Sequence, residues 1–269
     1  RRNLHRGNPR AAKEIKEKNS MKLTGKVALV TGGTRGIGAA TARKLAKRGA
    51  DVAILARQFN EPAKSVLDDI RSYGRKSFMI EGDMGKSEDA DRAIMETANT
   101  LGGIDILIHN AGGSAPGSII DVDTKSWYNA FDVHVHAAFH LSRAAIPYMK
   151  LGKKGAIVLI SSVAGIRGCP DAVAYGVAKG ALTQFARAMA RDLADYNIRV
   201  NAVIPGIIDT AFHAKMTEEQ KKNNLANRVP LHRFGTPEEV ADVIVLMTEN
   251  DFITGESYVI DGGMTMRIV

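Results

Sequence analysis

Tyr175 and Lys179 stand four positions apart, and Ser162 stands thirteen positions before Tyr175. A spacing of four puts a phenol and an amine on one face of a helix. A free tyrosine, with a pKa of about 10, is a poor acid–base group at neutral pH. A neighbouring ammonium favours the phenolate and lowers that pKa, so Tyr175 can pass a proton to or from a substrate oxygen. The Ser162 hydroxyl can donate to the same oxygen as it becomes negative. A Tyr-x-x-x-Lys pair alone also occurs on ordinary surface helices. Its chemical meaning comes from a second feature far upstream, Thr31-Gly32-Gly33-Thr34-Arg35-Gly36-Ile37-Gly38. A proton donor, an oxygen clamp and a dinucleotide-binding turn imply hydride transfer between a nicotinamide and a carbonyl or alcohol, the hydride coming from the cofactor.

Positioning these groups takes a parallel sheet. From Lys22 onward, short apolar runs alternate with helical spacing. Strands are expected over Lys26–Thr31, Asp51–Ala56, Lys76–Glu81, Ile104–His109, Ala156–Ser161, Arg199–Ile204 and Ser257–Ile260. Helices are expected over Gly36–Arg48, Glu61–Tyr73, Ser87–Leu101, Thr124–Lys150, Val173–Asp195 and Pro237–Thr248, the last opened by Thr236 as N-cap with proline behind it. The strands lack polar alternation, so both sheet faces are covered. Repeated βα units imply right-handed crossovers and an α/β fold: a Rossmann-type, doubly wound, seven-stranded parallel sheet in a single domain. Residues 211–228 interrupt this rhythm with a polar helical excursion containing Lys215, Glu218, Glu219, Gln220, Lys221 and Lys222. That character suits either a lid that orders on binding or a plain exposed helix.

The glycine turn joins a strand to a helix, where backbone N–H groups and the helix dipole favour a pyrophosphate. Its spacing is T-G-x-x-x-G-x-G, which is neither G-x-G-x-x-G nor a P-loop. Gly32, Thr34, Arg35, Gly36, Ile37 and Gly38 are the candidate cofactor contacts. The end of the second strand chooses between NAD and NADP. Here Leu55-Ala56-Arg57 offers no acid, so nothing repels a 2′-phosphate. Arg57 and Arg35 can grip that phosphate, because guanidinium forks match its oxygens. The expected cofactor is therefore NADP rather than NAD. Asp83 and Met84 follow the third strand and are placed at the adenine; the alternative for Asp83 is a helix N-cap.

Composition narrows the remaining classes. The chain has 269 residues, 45% apolar and 25% charged, which suits one large soluble domain. A single cysteine, Cys169, leaves no intramolecular disulfide and no cysteine-rich zinc site. Net charge is +8, but residues 1–20 hold seven basic side chains against two acidic ones, and the remainder holds 30 against 27. The body is therefore not a basic nucleic-acid domain. No apolar run approaches the roughly 18–20 residues of a membrane span. Residues 1–20 read as a basic N-terminal extension ahead of a 21–269 domain. They resemble either a transit peptide or sequence upstream of a natural start at Met21. The expected location is cytoplasmic.

The ordered motifs from Lys22 to Met264 resemble the short-chain dehydrogenase/reductase family, in the branch that includes 3-oxoacyl-carrier-protein reductases. The resemblance rests on Thr31–Gly38, Asp83, Asn110-Ala111-Gly112, Ser162, Tyr175–Lys179, Pro205-Gly206, the run from Arg233 to Glu239, Thr254-Gly255 and Asp261-Gly262-Gly263. It implies that Asn110, Ala111 and Gly112 line the adenosine-ribose side, and that Pro205, Gly206 and Ile208 lie along the nicotinamide. It also implies that Thr210 hydrogen-bonds the cofactor and that Tyr175 and Lys179 touch the nicotinamide ribose. Members are often tetramers, so a homotetramer or homodimer is expected, acting on a small-molecule carbonyl or alcohol.

One position departs from the family pattern. An asparagine usually kinks the long fourth helix and holds a water that relays protons to the lysine. Here that place falls to His134, which either takes over the relay or merely packs. Because a free histidine titrates near neutrality, a relay through His134 should shift the pH profile. His136 and His140 share a helix face, but no HExxH or carboxylate sits at zinc spacing, so no metal site is expected. Arg167 and Cys169 lie between Ser162 and Tyr175, facing either substrate or solvent. Rival readings are an epimerase or dehydratase on the same scaffold, and a non-enzymatic NADP-binding regulator.

Overall fold

The computed structural model describes residues 21–214 and 216–266. The expected N-terminal extension, residues 1–20, and Lys215 of the excursion lie outside the described residues. Seven strands form one sheet: β1 (Val27–Thr31), β2 (Asp51–Ala56), β3 (Ser77–Glu81), β4 (Ile106–His109), β5 (Gly155–Ile160), β6 (Ile198–Pro205) and β7 (Ser257–Ile260). Their order is β3-β2-β1-β4-β5-β6-β7 and every pairing is parallel. The order reverses between β1 and β4, where Thr31 pairs with both Leu55 and His109. In such sheets the crevice beyond the strand ends at the reversal is the ligand site.

The main helices are α1 (Gly36–Lys47), α2 (Glu61–Ser72), α3 (Ser87–Leu101), α4 (Thr124–Phe131), α5 (Ala137–Leu151), α6 (Val173–Leu193), α7 (Glu218–Asn223) and α8 (Pro237–Glu249). Strand pleating sorts the core into two layers. Ala28, Val30, Val52, Ile54, Ile106 and Ile108 pack with α1, α2 and α8. Leu29, Ala53, Leu55, Leu107, Ile157 and Leu159 pack with α3, α5 and α6. Both faces are covered over β1, β2, β4 and β5, which is why these strands read as largely apolar runs.

Local signals set the helix starts. Asn60 caps α2 with proline behind it, and Thr236 with Glu239 makes a reciprocal capping box at α8. The expected helix over 124–150 is not continuous. A π-helical turn, Asp132–His136, separates α4 from α5, with the Ala137 N–H donating to the Asp132 carbonyl. Such bulges insert one residue into the helical ladder, and this one holds His134. The excursion is a 3₁₀ turn (Ala211–His213), then α7, then a second π turn (Asn224–Arg228).

Candidate active site

Two reciprocal bonds fasten α6 to the end of β5. Ser161 Oγ donates to the Lys179 carbonyl at 2.7 Å, and Lys179 Nζ donates to the Ile160 carbonyl at 2.7 Å. Ser161 is thus turned into the protein, leaving Ser162 toward the crevice. The loop after Ser162 lies directly on the α6 backbone. A Cβ at Gly180 would come within 2.9 Å of the Gly165 carbonyl oxygen, so the approach requires glycine. Ser162 Oγ accepts the Ala164 N–H at 3.2 Å and also influences the Tyr175 phenol, pulling its pKa down. Lys179 Nζ lies 5.8 Å from the Tyr175 ring centroid. Ser162, Tyr175 and Lys179 therefore converge as their spacing implies.

Their electrostatics differ from expectation. Burial raises the Tyr175 pKa, against the Ser162 contribution, and Cys169 adds to the rise. Burial lowers Lys179 to about 7. Both groups are pushed toward their neutral forms because both leave water. In the protein alone burial outweighs whatever favours the phenolate.

His134 is 2% exposed, with its ring against Tyr175 in an edge-on contact at 5.6 Å. Its Nε2 lies 3.1 Å from the Gly113 carbonyl, an acceptor only, so Nε2 carries the proton. Nδ1 is then a bare acceptor, buried without a protein partner. Burial first, then the Lys179 charge, lowers the His134 pKa to about 2. Both influences favour the neutral ring over the titration near neutrality that the sequence leads one to expect. The ring fits only because residue 112 is glycine. A Cβ there would overlap the imidazole, reaching 2.7 Å from Nδ1.

The expected cofactor contacts ring the crevice. Gly32 and Gly36 have φ of +65° and +53°, and a Cβ on Gly38 would collide with the Gly32 carbonyl. Arg35 precedes α1 without capping it, and the first turn of α1 has no acid. The N–H groups of Ile37 and its neighbours thus face a place suited to an anion. Arg35 beside Thr34, and Arg57 past β2, are exposed. Asp83 Oδ1 accepts the Gly85 N–H at 3.0 Å, and α3 is capped at Lys86, so Asp83 makes a tight turn rather than the N-cap. Met84 is buried. Asn110 Nδ2 donates to the Thr31 and Gly32 carbonyls, both at 3.2 Å, and Ala111 N–H donates to Thr31 Oγ1 at 2.9 Å. Pro205 ends β6, Gly206 N–H donates to the Ile260 carbonyl, and Ile208 bridges to Gly235. The Thr210 methyl closes over Gly36, 3.2 Å from where its Cβ would stand.

Other sequence candidates fall outside this group. Arg167 donates to the Thr265 carbonyl at 2.9 and 3.3 Å, so it braces the C-terminal loop. Cys169 is exposed. His136 pairs with the Asp132 carboxylate at 2.8 Å. Two further residues stand at the site, one from the 211–228 excursion expected to line the pocket and one with no role expected from sequence. Phe212 packs on Tyr175 at 6.0 Å and borders a cavity of about 360 Å³ lined also by His213, Met216 and Arg228. His109 ends β4 buried beneath the π turn, and its only sequence signal is a polar residue closing an apolar strand just before Asn110.

A doubly wound parallel sheet, a glycine cradle at its reversal and a Ser-Tyr-Lys group beside it define a dinucleotide-dependent oxidoreductase. Comparison with known proteins makes this specific. A family profile described as enoyl-(acyl carrier protein) reductase matches residues 32–265. The 3-oxoacyl-(acyl-carrier-protein) reductase of Aquifex aeolicus (strain VF5) is 38% identical over 247 residues, 91% of this chain and 99% of that protein. A short chain dehydrogenase from Burkholderia cenocepacia J2315, solved in complex with NADP, superposes with a TM-score of 0.85 at 34% identity, covering 91% of this chain and 99% of that one. A blue fluorescent protein from a metagenomic library, solved with NADPH, superposes equally well (0.85) at 32% identity, covering 91% and 100%. The chain belongs to the short-chain dehydrogenase/reductase family and is an oxidoreductase.

Proposed function

We propose that the chain transfers hydride between NADP(H) and a small-molecule carbonyl or alcohol, with Tyr175 as the acid–base. The observation that carries this is the meeting of Ser162, Tyr175 and Lys179 at the strand ends, beside a tight glycine turn that opens a helix N-terminus. The cradle fits a dinucleotide diphosphate, and the two exposed guanidiniums at Arg35 and Arg57 fit a 2′-phosphate. When bound, the nicotinamide supplies the hydride.

The rest follows from the chain's own groups. Burial keeps Tyr175 protonated, the state that reduction needs, and Tyr175 gives its proton to the substrate oxygen. Ser162 donates a hydrogen bond to the same oxygen. Lys179, freed from the Ile160 carbonyl, reaches the ribose and restores the phenol's proton. His134 offers its bare Nδ1 to a water that also meets Lys179, the role an asparagine takes in relatives. It does so as a neutral acceptor, not by titrating. Phe212 forms an apolar wall over Tyr175 that excludes water from the reacting carbon. The working assembly is a homotetramer or homodimer in the cytoplasm. Among the described residues, no helix is long and apolar enough to cross a membrane.

The test is NADPH oxidation over a panel of aldehydes and ketones. Tyr175→Phe should lower kcat by about 10²- to 10⁴-fold, the usual worth of a positioned proton donor, while NADPH affinity is retained. Turnover equal to wild type would remove Tyr175 from the chemistry.

A further inference from the structure

Beneath the π turn lies a buried histidine that the proposed mechanism does not use. His109 is 1% exposed. Its Nδ1 lies 3.1 Å from Thr31 Oγ1, and its Nε2 lies 3.2 Å from the His134 carbonyl. The directions of these bonds can be worked out. Thr31 Oγ1 already accepts two backbone N–H groups, from Asn110 at 3.0 Å and Ala111 at 2.9 Å. A hydroxyl has two lone pairs and one proton. Only the proton remains, so Thr31 donates to His109 Nδ1. The Nδ1 is therefore bare and Nε2 carries the hydrogen, which is donated to the His134 carbonyl. The result is a one-way chain from the Asn110 and Ala111 amides through Thr31 and His109 to the π turn. Burial, with the Lys179 charge, lowers the His109 pKa to about 4, consistent with a neutral ring.

Both ends of this chain matter. One end is the cofactor cradle, where Thr31 closes β1 and Asn110 holds the Gly32 carbonyl. The other is the bulge that turns His134 toward Tyr175. We infer that His109 is a positioning residue: as the Nε2–H tautomer it fastens the π turn to the end of β4 and thereby sets the angle between His134 and Tyr175. The inference rests on the proposed reading of Tyr175 for its kinetic consequence, but not for its tautomer.

Two amide variants divide the ring's functions. His109→Gln places an amide nitrogen where Nε2 was and can still donate to the His134 carbonyl. His109→Asn reaches only the Nδ1 position, next to Thr31. His109→Gln should retain kcat within about 3-fold, whereas His109→Asn and His109→Leu should lose about 10- to 100-fold, the scale of a small misplacement of a catalytic group. The NADPH dissociation constant should stay unchanged in all three. Equal kcat in the Gln and Asn variants, or a loss confined to NADPH binding or to the melting temperature, would overturn the role. An independent readout is the long-range ¹H–¹⁵N spectrum of the ¹⁵N-histidine-labelled full chain at pH 7. It should show His109 protonated at Nε2 with Nδ1 bare; the opposite tautomer or an imidazolium refutes the inference. If wild type turns over no carbonyl, the reading of Tyr175 fails, and the spectrum still decides that of His109.

Discussion

At the residue scale, cofactor choice reduces to charge. Arg57 follows the last residue of β2 and Arg35 lies in the glycine turn, both exposed. The end of β2 itself carries no acid; the neighbouring Glu81 of β3 is tied to the Phe59 N–H at 2.8 Å. A 2′-phosphate between two guanidiniums would gain charge-assisted hydrogen bonds worth about 1.5–3 kcal/mol each. A ribose hydroxyl in the same place gains far less, since it carries no charge. Arg57→Ala should therefore raise KM for NADPH by about 10- to 100-fold, because every 1.4 kcal/mol is a factor of ten. KM for NADH should hardly move. Paired titrations of wild type and variant with both cofactors check this, and an equal loss for NADH would show that Arg57 acts on the fold rather than on the phosphate.

At the element scale, the π turn separates what the sequence discloses from what it does not. The strands were legible to within one or two residues because those in the middle of the sheet, buried on both faces, read as short, largely apolar runs. The helix start at Pro237 was legible because its cap is local, the Thr236 side chain accepting the Glu239 N–H; Asn60 and Asp123 cap their helices in the same way. The bulge at Asp132–His136 was not, since residues 124–150 keep helical spacing throughout. Its causes are distant in sequence: His109 donates to the His134 carbonyl, and Gly112 leaves room for the ring. The same holds for Tyr175 and Lys179. Their spacing places them together, but the depth that raises one pKa and lowers the other belongs to the packed chain. Gly112→Ala tests the bulge directly. The new Cβ overlaps the imidazole, and overpacking costs about 1–3 kcal/mol, so the melting temperature and kcat should both fall. Adding His134→Ala removes the ring and should restore the melting temperature but not kcat. Simple addition of the two stability losses would mean the residues do not meet in solution.

At the scale of the whole molecule, the apolar side chains left outside need an account. Tyr128 on α4, Phe139 on α5 and Val177 on α6 are exposed, as are Leu246 on α8, Tyr258 on β7 and Phe252 just before it, the last at 99%. Among the described residues β7 is also an edge of the sheet, paired there with β6 alone. An edge strand flanked by bare aromatics invites association unless a partner covers it. The two groups lie on different elements, so they suit two separate contacts, and two distinct twofold contacts build a tetramer of dihedral symmetry. Phe252→Glu would place a charge in one contact and spare the other. Wild type should then sediment as a tetramer at micromolar concentration and Phe252→Glu as a dimer, while Phe139→Asp splits the tetramer along the other contact. Phe252, almost wholly exposed, has the most apolar surface left to bury, so a charge there should be costly in a contact. Both variants should keep the fold, because neither residue belongs to the two core layers. A wild type that sediments as a monomer, or variants indistinguishable from it, would mean these aromatics face water and the site is complete within one chain.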